Sequence, residues 1–155
     1  MLKLSLFIHI IAALFWIGGM LFMTIVVAPF LRTIEDPKER SRIYQVVGKG
    51  FRFWGWIAII ILVITGPLNL YLMGIPMGSL IDPSFHSTPY GKALAVKISF
   101  VILIVVTSLL HDFVFGPKAR NSPGYSSFAK WLGRSNLFTA IIIVLFAVFL
   151  RLGGF

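Results

Sequence analysis

The residues best suited to bind a metal ion or a haem are the three histidines, His9, His86 and His111. His9 and His111 stand within long apolar stretches, where an ionisable side chain is costly and usually marks a functional site. Imidazole nitrogen is an axial ligand of haem iron and also a ligand of copper. The chain has no cysteine, which excludes thiolate ligands, disulfides and iron–sulfur clusters.

Lys97 shares an apolar stretch with His111, KALAVKISFVILIVVTSLLHDFVFGP. The two residues are fourteen positions apart, so on a helix they lie within about 40° of each other and roughly 21 Å apart in depth. Haem needs an axial nitrogen in an apolar slot and cationic groups near its propionates. Lys97, Arg52 and Arg134 are therefore predicted to contact haem propionates or a quinone.

Depth decides which histidines can bind one iron. His9 lies near the start of the first apolar span and His111 near the end of the third. In an antiparallel bundle these spans run in the same direction, so about 20 Å of depth separates the two imidazoles. The sequence predicts an outer site, with His86 as the candidate second ligand of His9, and a cytoplasmic site at His111. Met23, water or a second protomer would complete the latter, which gives one or two haem b groups per chain.

The first span carries a stripe of residues at intervals of seven, with two glycines beside it: His9, Trp16, Met23 and Phe30, and Gly18 and Gly19. Trp16 is a candidate cofactor contact, with helix packing as the equal alternative. Small residues let membrane helices approach closely, so the glycine face predicts a homodimer.

Copper is the alternative cofactor. Copper(I) favours the sulfur of Met and Cys together with some His. Met20 and Met23 lie one turn apart in the first span, but the methionines form no tight cluster, which leaves Met23 as a weak candidate ligand. The sequence shows no phosphate loop, no H-E-x-x-H motif and no nucleophile constellation, so hydrolase and transferase chemistry is not expected.

The elements that hold these residues are predicted from composition. The chain is 58% hydrophobic and 12% charged, with a mean hydropathy of +0.94, which is typical of integral membrane proteins. Four spans are predicted, at about 4–30, 53–73, 93–115 and 137–152. Because lipid requires each segment to satisfy its own backbone hydrogen bonds, we expect an all-α, antiparallel four-transmembrane-helix bundle. It forms a single domain, 1–155, without a strong internal repeat.

Basic residues fall in two of the three connections, which predicts the topology. The first cluster comprises Arg32, Lys38, Arg40, Arg42, Lys49 and Arg52, and the second Lys118, Arg120, Lys130 and Arg134. Positive-inside bias places both in the cytoplasm, so the termini and the proline-rich connection after the second span are extracytoplasmic. The net charge of +9 then reflects contact with anionic lipid in the cytoplasmic membrane and not with nucleic acid. The proline-rich connection is expected to form a short ordered lid.

Four motifs resemble those of CopD-type membrane proteins: LFIHIIAALFWIGGMLF, ITGPLNL, STPYGKALAVKISFVILI and LHDFVFGPKAR. The resemblance covers nearly the whole chain and implies a four-helix membrane unit connected with copper resistance or uptake. A weaker similarity links the chain to HemJ-type protoporphyrinogen oxidases, which have a His before Trp and Gly in the first span and a Lys before a later His. That similarity implies haem b at His9 or His111.

These observations lead to one main hypothesis and two alternatives. The main hypothesis is a small membrane b-type cytochrome that transfers electrons between a quinone-level donor and another redox protein. The alternatives are a copper transport or resistance protein and a HemJ-like protoporphyrinogen oxidase. An electron carrier and a membrane oxidoreductase are both compatible with such a site.

Overall fold

A computed structural model describes residues 1–119 and 122–154, with Pro123 described without its side chain. Arg120, from the second basic cluster, lies outside these residues. All regular structure in the described part is helical, and four helices are long and apolar enough to cross a membrane. The predicted all-α, four-span membrane fold is therefore confirmed, and the chain is a multi-pass membrane protein in contact with the bilayer.

The described residues form four long helices and one short helix. They are α1 (Leu2–Arg32), α2 (Pro37–Leu72), α3 (Pro83–Ser87), α4 (Pro89–Lys118) and α5 (Pro123–Arg151), and a 3₁₀ turn at Met77–Ile81 precedes α3. A π-helical turn interrupts α1 at Met23–Val27 and α4 at Leu110–Phe115.

Three of the helices begin at a capping residue followed by proline. Asp36 accepts a hydrogen bond from the Lys38 backbone N–H at 2.9 Å, and Asp82 does the same for Ser84 at 2.9 Å. Thr88 accepts from the Gly91 N–H at 3.0 Å. These oxygens satisfy backbone donors that a helix start leaves unpaired, and proline fits the first helical position because it has no N–H to satisfy.

Helices α2 and α5 begin well before the predicted spans 53–73 and 137–152, which stay predictions as membrane boundaries. The span 53–73 corresponds only to the later part of α2, and the segment from Pro37 is helical although it is rich in charge. The reason is physical. Hydropathy identifies only the part of a helix that can lie in lipid. Charged Lys, Glu and Arg lower the hydropathy of a segment, but they are good helix formers in water. The predicted cytoplasmic loop is therefore largely a helical extension.

The proline-rich connection contains the 3₁₀ turn and α3, while its role as a lid stays a prediction. Hydrogen bonds from the Ser84 hydroxyl and backbone lower the pKa of Asp82 below its usual value. The carboxylate therefore stays charged in mildly acidic solution and continues to cap the helix that carries His86.

The chain divides into two compact units, Met1–Gly74 and Ile75–Phe155. In the first, His9 bonds Thr65 and Trp16 faces Gly55, so α1 and α2 pair in opposite directions. The single domain and the antiparallel packing of all four helices stay predictions.

The second unit is a similar pair, α4 with α5. Ser108 bonds Asn136, and the Phe100 ring stacks on Phe146 with 6.1 Å between ring centroids. Because the lower-numbered residue of α4 meets the higher-numbered residue of α5, these two helices also run in opposite directions.

The first helix of each pair follows one plan. Twenty-one α-helical residues precede the π-turn, and a proline, Pro29 or Pro117, comes soon after it. The residue before the proline, Ala28 or Gly116, donates its N–H to the carbonyl five residues earlier, that of Met23 or His111. This hydrogen bond ends the π-turn. Proline cannot donate to the i−4 carbonyl, which disturbs the α-helical bonding upstream. The two pairs thus share a backbone pattern that the sequence alone does not reveal.

The contact of α1 with α2 at Gly19 gives a stability prediction. A Cβ atom there would overlap the Phe51 ring, whereas a Cβ at Gly18 meets nothing within 4 Å. Overpacking costs about 1–3 kcal/mol, so we expect Gly19→Ala to lower the midpoint of thermal unfolding in detergent and Gly18→Ala to leave it unchanged. Equal midpoints for the two variants would contradict this packing.

Candidate sites around the histidines

His9 is held by a short chain of hydrogen bonds between α1 and α2. Its Nδ1 lies 2.7 Å from Thr65 Oγ1, and that hydroxyl donates to the Ile61 carbonyl at 2.6 Å. The carbonyl can only accept, so the single Thr65 proton is used and His9 Nδ1–H must be the donor. The neutral ring then carries its lone pair on Nε2, the nitrogen that can bind a metal.

Gly66 lies beside the His9 ring, since a Cβ there would be 3.8 Å from His9 Cε1. One turn further along the same two helices come Ser5 on α1 and Asn69 on α2, which are only 6% and 7% exposed. Ser5 Oγ and Asn69 Oδ1 have no hydrogen-bond partner in the described part of the chain. A polar patch therefore surrounds His9 in an otherwise apolar pair.

Sequence reasoning missed Thr65, Asn69 and Ser5. A signal was present, because Ser5 precedes His9 by four residues and Thr65 precedes Asn69 by four, so each pair shares one helix face. Only the pairing of α1 with α2 brings the two faces together.

His111 lies in the π-turn of α4. Its Nδ1 is 2.7 Å from Asp112 Oδ1, and the side chains are 32% and 19% exposed. The carboxylate accepts from Nδ1–H, which again places the lone pair of the neutral ring on Nε2. A Cβ on Gly133 of α5 would be 3.7 Å from His111 Nε2, so a glycine also faces this imidazole.

A buried polar pair lies one turn before His111. Asn136 Nδ2 donates to Ser108 Oγ at 3.1 Å, and both residues are 6% exposed. This bond joins α4 to α5 where apolar burial alone would supply little association in lipid. It fixes the register that places Gly133 against His111.

His86 lies on α3, outside the long helices. Its Nε2 is 2.8 Å from the Leu80 carbonyl, so Nε2–H is the donor. Its Nδ1 is buried and has no hydrogen-bond partner among the described residues. In this imidazole the lone pair of the neutral ring is on Nδ1.

The other predicted site residues occupy varied positions. Trp16 is buried, with its indole facing Gly55 across the α1–α2 contact, and Met23 opens the first π-turn, half-buried. Lys97 is half-buried in α4, and Arg52 and Arg134 are exposed on α2 and α5.

The predicted groupings combine residues from the two compact units. His9, Trp16, Met23 and Arg52 belong to the first unit, and the remaining predicted residues belong to the second. The predicted joint sites, His9 with His86 and His111 with Met23, therefore stay predictions. No group of three or more His, Cys, Asp or Glu side chains suited to hold a metal occurs among residues 1–119 and 122–154.

Comparison with known proteins identifies the family. Residues 45–150, more than half of the chain, match the family model described as copper resistance protein D, CopD. The chain belongs to the CopD family. The region matched to CopD includes His86 and His111 and begins after His9.

A relative extends the similarity over the whole chain. An uncharacterized protein of Aquifex aeolicus strain VF5 is 38% identical over 154 residues, which cover 99% of this CopD chain and 97% of the relative. No solved structure matches. The family favours the copper alternative over the haem interpretation.

The hydrogen bond to His9 gives a second prediction. Thr65→Val removes the acceptor of Nδ1–H, and an unsatisfied buried donor costs about 1–3 kcal/mol. We expect a lower thermal midpoint, together with loss of the single Nδ1–H tautomer in ¹⁵N NMR spectra of the histidine rings.

Two control variants accompany that measurement. Thr65→Ser keeps the hydroxyl and should retain the tautomer. Thr107→Val should leave the His9 signals unchanged, because Thr107 bonds only to carbonyls of its own helix, those of Leu103 and Ile104. Unaltered His9 signals in Thr65→Val would show that the Thr65 hydroxyl does not set the tautomer.

Proposed function

We propose that this CopD-family protein binds copper ions in the membrane through its histidines and takes part in copper transport or resistance. One observation carries the proposal. Each of the three imidazoles donates one ring N–H to an oxygen, at 2.7 Å for His9, 2.8 Å for His86 and 2.7 Å for His111. Metal-binding histidines typically make such a bond, because it fixes the tautomer and orients the other nitrogen.

The hydrogen-bond acceptors of the three imidazoles also favour metal binding by the rings. An acceptor on one nitrogen increases the basicity of the other, and a carboxylate, as at His111, does so more strongly than a hydroxyl. Gly66 and Gly133 leave space at the imidazole edges. Imidazole is a suitable ligand for copper, and the methionine sulfurs add softer ligands for the copper(I) state.

The lack of a three-residue cluster in the described part favours passage of copper over storage. An ion that must cross a membrane needs sites that bind well enough to admit it and weakly enough to release it. Imidazoles that belong to no such cluster among the described residues meet that requirement better than a closed site with three or four ligands.

Charge supports a particular orientation in the membrane. The exposed basic residues of α2 precede its apolar part, among them Lys38, Arg42 and Lys49. Positive residues beside a span remain preferentially in the cytoplasm. We therefore place both termini on the extracytoplasmic side of the cytoplasmic membrane, with His9 toward that side and His111 toward the cytoplasm.

The proposal predicts copper binding that depends on the histidines. Purified protein in detergent should compete with a chromophoric copper(I) chelator and retain copper by elemental analysis. His111→Ala and His9→Ala should each lower the amount bound, and a variant lacking all three histidines should bind none above background. Copper retention that is equal in the wild type and in the triple variant would refute the proposal.

Asp112→Asn tests the supporting hydrogen bond. Loss of such a partner typically lowers metal affinity by about 10–100-fold, and we expect that decrease in the chelator competition. Glu39→Gln is the matched control, since Glu39 is an exposed acid in the first turn of α2. An equal affinity of the two variants would remove Asp112 from the site.

Haem b is the second candidate, favoured by the same donated N–H at Nδ1 of His9 and His111. His9 or His111 would hold the haem through Nε2, and the bound haem would supply a one-electron centre. Electron transfer with a quinone and protoporphyrinogen oxidation both depend on that centre.

An optical spectrum separates the two candidates. We expect no Soret band from protein purified out of haem-replete cells, and a pyridine haemochrome count near zero. A Soret band with sharp reduced α and β bands, lost in His9→Ala or His111→Ala, would replace copper by haem.

A further inference from the structure

Two buried side-chain oxygens near His9, Ser5 Oγ and Asn69 Oδ1, have no hydrogen-bond partner among the described residues. Ser5 is 6% exposed and Asn69 is 7% exposed. An unpaired buried polar group costs about 1–3 kcal/mol. Two such groups, both buried in one helix pair, indicate that a ligand satisfies them.

The backbone register places these groups next to each other and next to His9. His9 bonds Thr65, and one turn toward the N-terminus of α1 and the C-terminus of α2 lie Ser5 and Asn69. Gly66 shares a face with Asn69 and adds no side chain, and the His9 ring is the neighbour that a Cβ there would meet. The glycine therefore leaves room between the imidazole and the Asn69 amide.

Charge selects the class of ligand. The acidic residues of the first unit are Glu35, Asp36 and Glu39, all between the end of α1 and the first turn of α2, at the opposite end of the pair. Lys3 adds a positive charge two residues before Ser5. A dehydrated cation would find no negative partner here, whereas water can donate to Asn69 Oδ1 and also accept from the Ser5 hydroxyl.

We propose that Ser5 and Asn69 bind water inside the first helix pair, and that this water is the route by which a hydrated copper ion reaches His9. The water site stands on the two unpaired groups alone. Its use as a route rests on the proposed function. Ser5 and Asn69 are positioning residues for water, and His9 Nε2 is the copper ligand.

Water-edited solid-state NMR of the protein in deuterated lipid bilayers tests the water site without copper. Magnetisation should pass from water to Ser5, His9 and Asn69 at least five times faster than to Ala12. Ala12 is 5% exposed and lies deeper on α1. Transfer to Ser5 and Asn69 as slow as transfer to Ala12 would overturn the proposal.

Leu4 controls for depth. It is adjacent to Ser5 on α1 but 60% exposed on the surface of the protein. Water that merely penetrates the interface would reach Leu4 and Ser5 equally fast, and equal rates would also overturn the proposal. In Asn69→Leu, transfer to Ser5 and His9 should fall to the rate of Ala12, while Asn69→Ser should retain most of it.

The role of this water as a route for copper is measured separately. In stopped-flow experiments on proteoliposomes loaded with a copper(I) indicator, Asn69→Leu should slow copper entry at least tenfold, while equilibrium copper affinity in detergent stays within twofold of wild type. An unchanged entry rate would overturn the route and leave the water site. A wild type that binds no copper would refute the proposed function, while the NMR result would still stand.

Discussion

Hydrocarbon offers no hydrogen bonds, so a polar side chain inside a span depends on partners within the protein or on bound water. That constraint accounts for the bonds between helices in both units. His9 bonds Thr65 between α1 and α2, and Asn136 bonds Ser108 between α4 and α5. Apolar contact alone holds helices together weakly in lipid. A few polar contacts therefore set the register of each pair, and that register brings Gly66 and Gly133 against the imidazoles.

Hydropathy and charge predicted four membrane helices and an all-α fold because both are properties of the chain that lipid selects directly. The true starts of α2 and α5 escaped prediction, since the residues before the apolar runs are helical for reasons unrelated to lipid. On α1 the sequence indicated His9 and Trp16, but it did not indicate Thr65 and Asn69 on α2. Thr65 is the hydrogen-bond partner of His9, and no pattern within one helix specifies which residue of a neighbouring helix will meet it.

The two helix pairs share a backbone plan while their polar residues differ. His9 and Lys97 each stand fourteen positions before the residue whose carbonyl closes the π-turn, Met23 in α1 and His111 in α4. Lys97 of α4 corresponds to His9 of α1, and His111 of α4 corresponds to Met23 of α1. The two pairs therefore share a backbone pattern but differ in the position of the imidazole. It lies near the start of α1 in the first pair and near the end of α4 in the second.

The π-turns change which residues share a face of α1 and of α4. Such a turn accommodates one residue more than an uninterrupted α-helix, and each residue corresponds to about 100° of rotation. The residues after the turn are therefore rotated about the helix axis relative to the residues before it. His9, Trp16 and Met23 lie on one line, but Phe30, seven residues on, is displaced from it by the turn at Met23–Val27. The π-turns before Pro29 and Pro117 thus rotate the end of each helix so that its side chains lie on a different face.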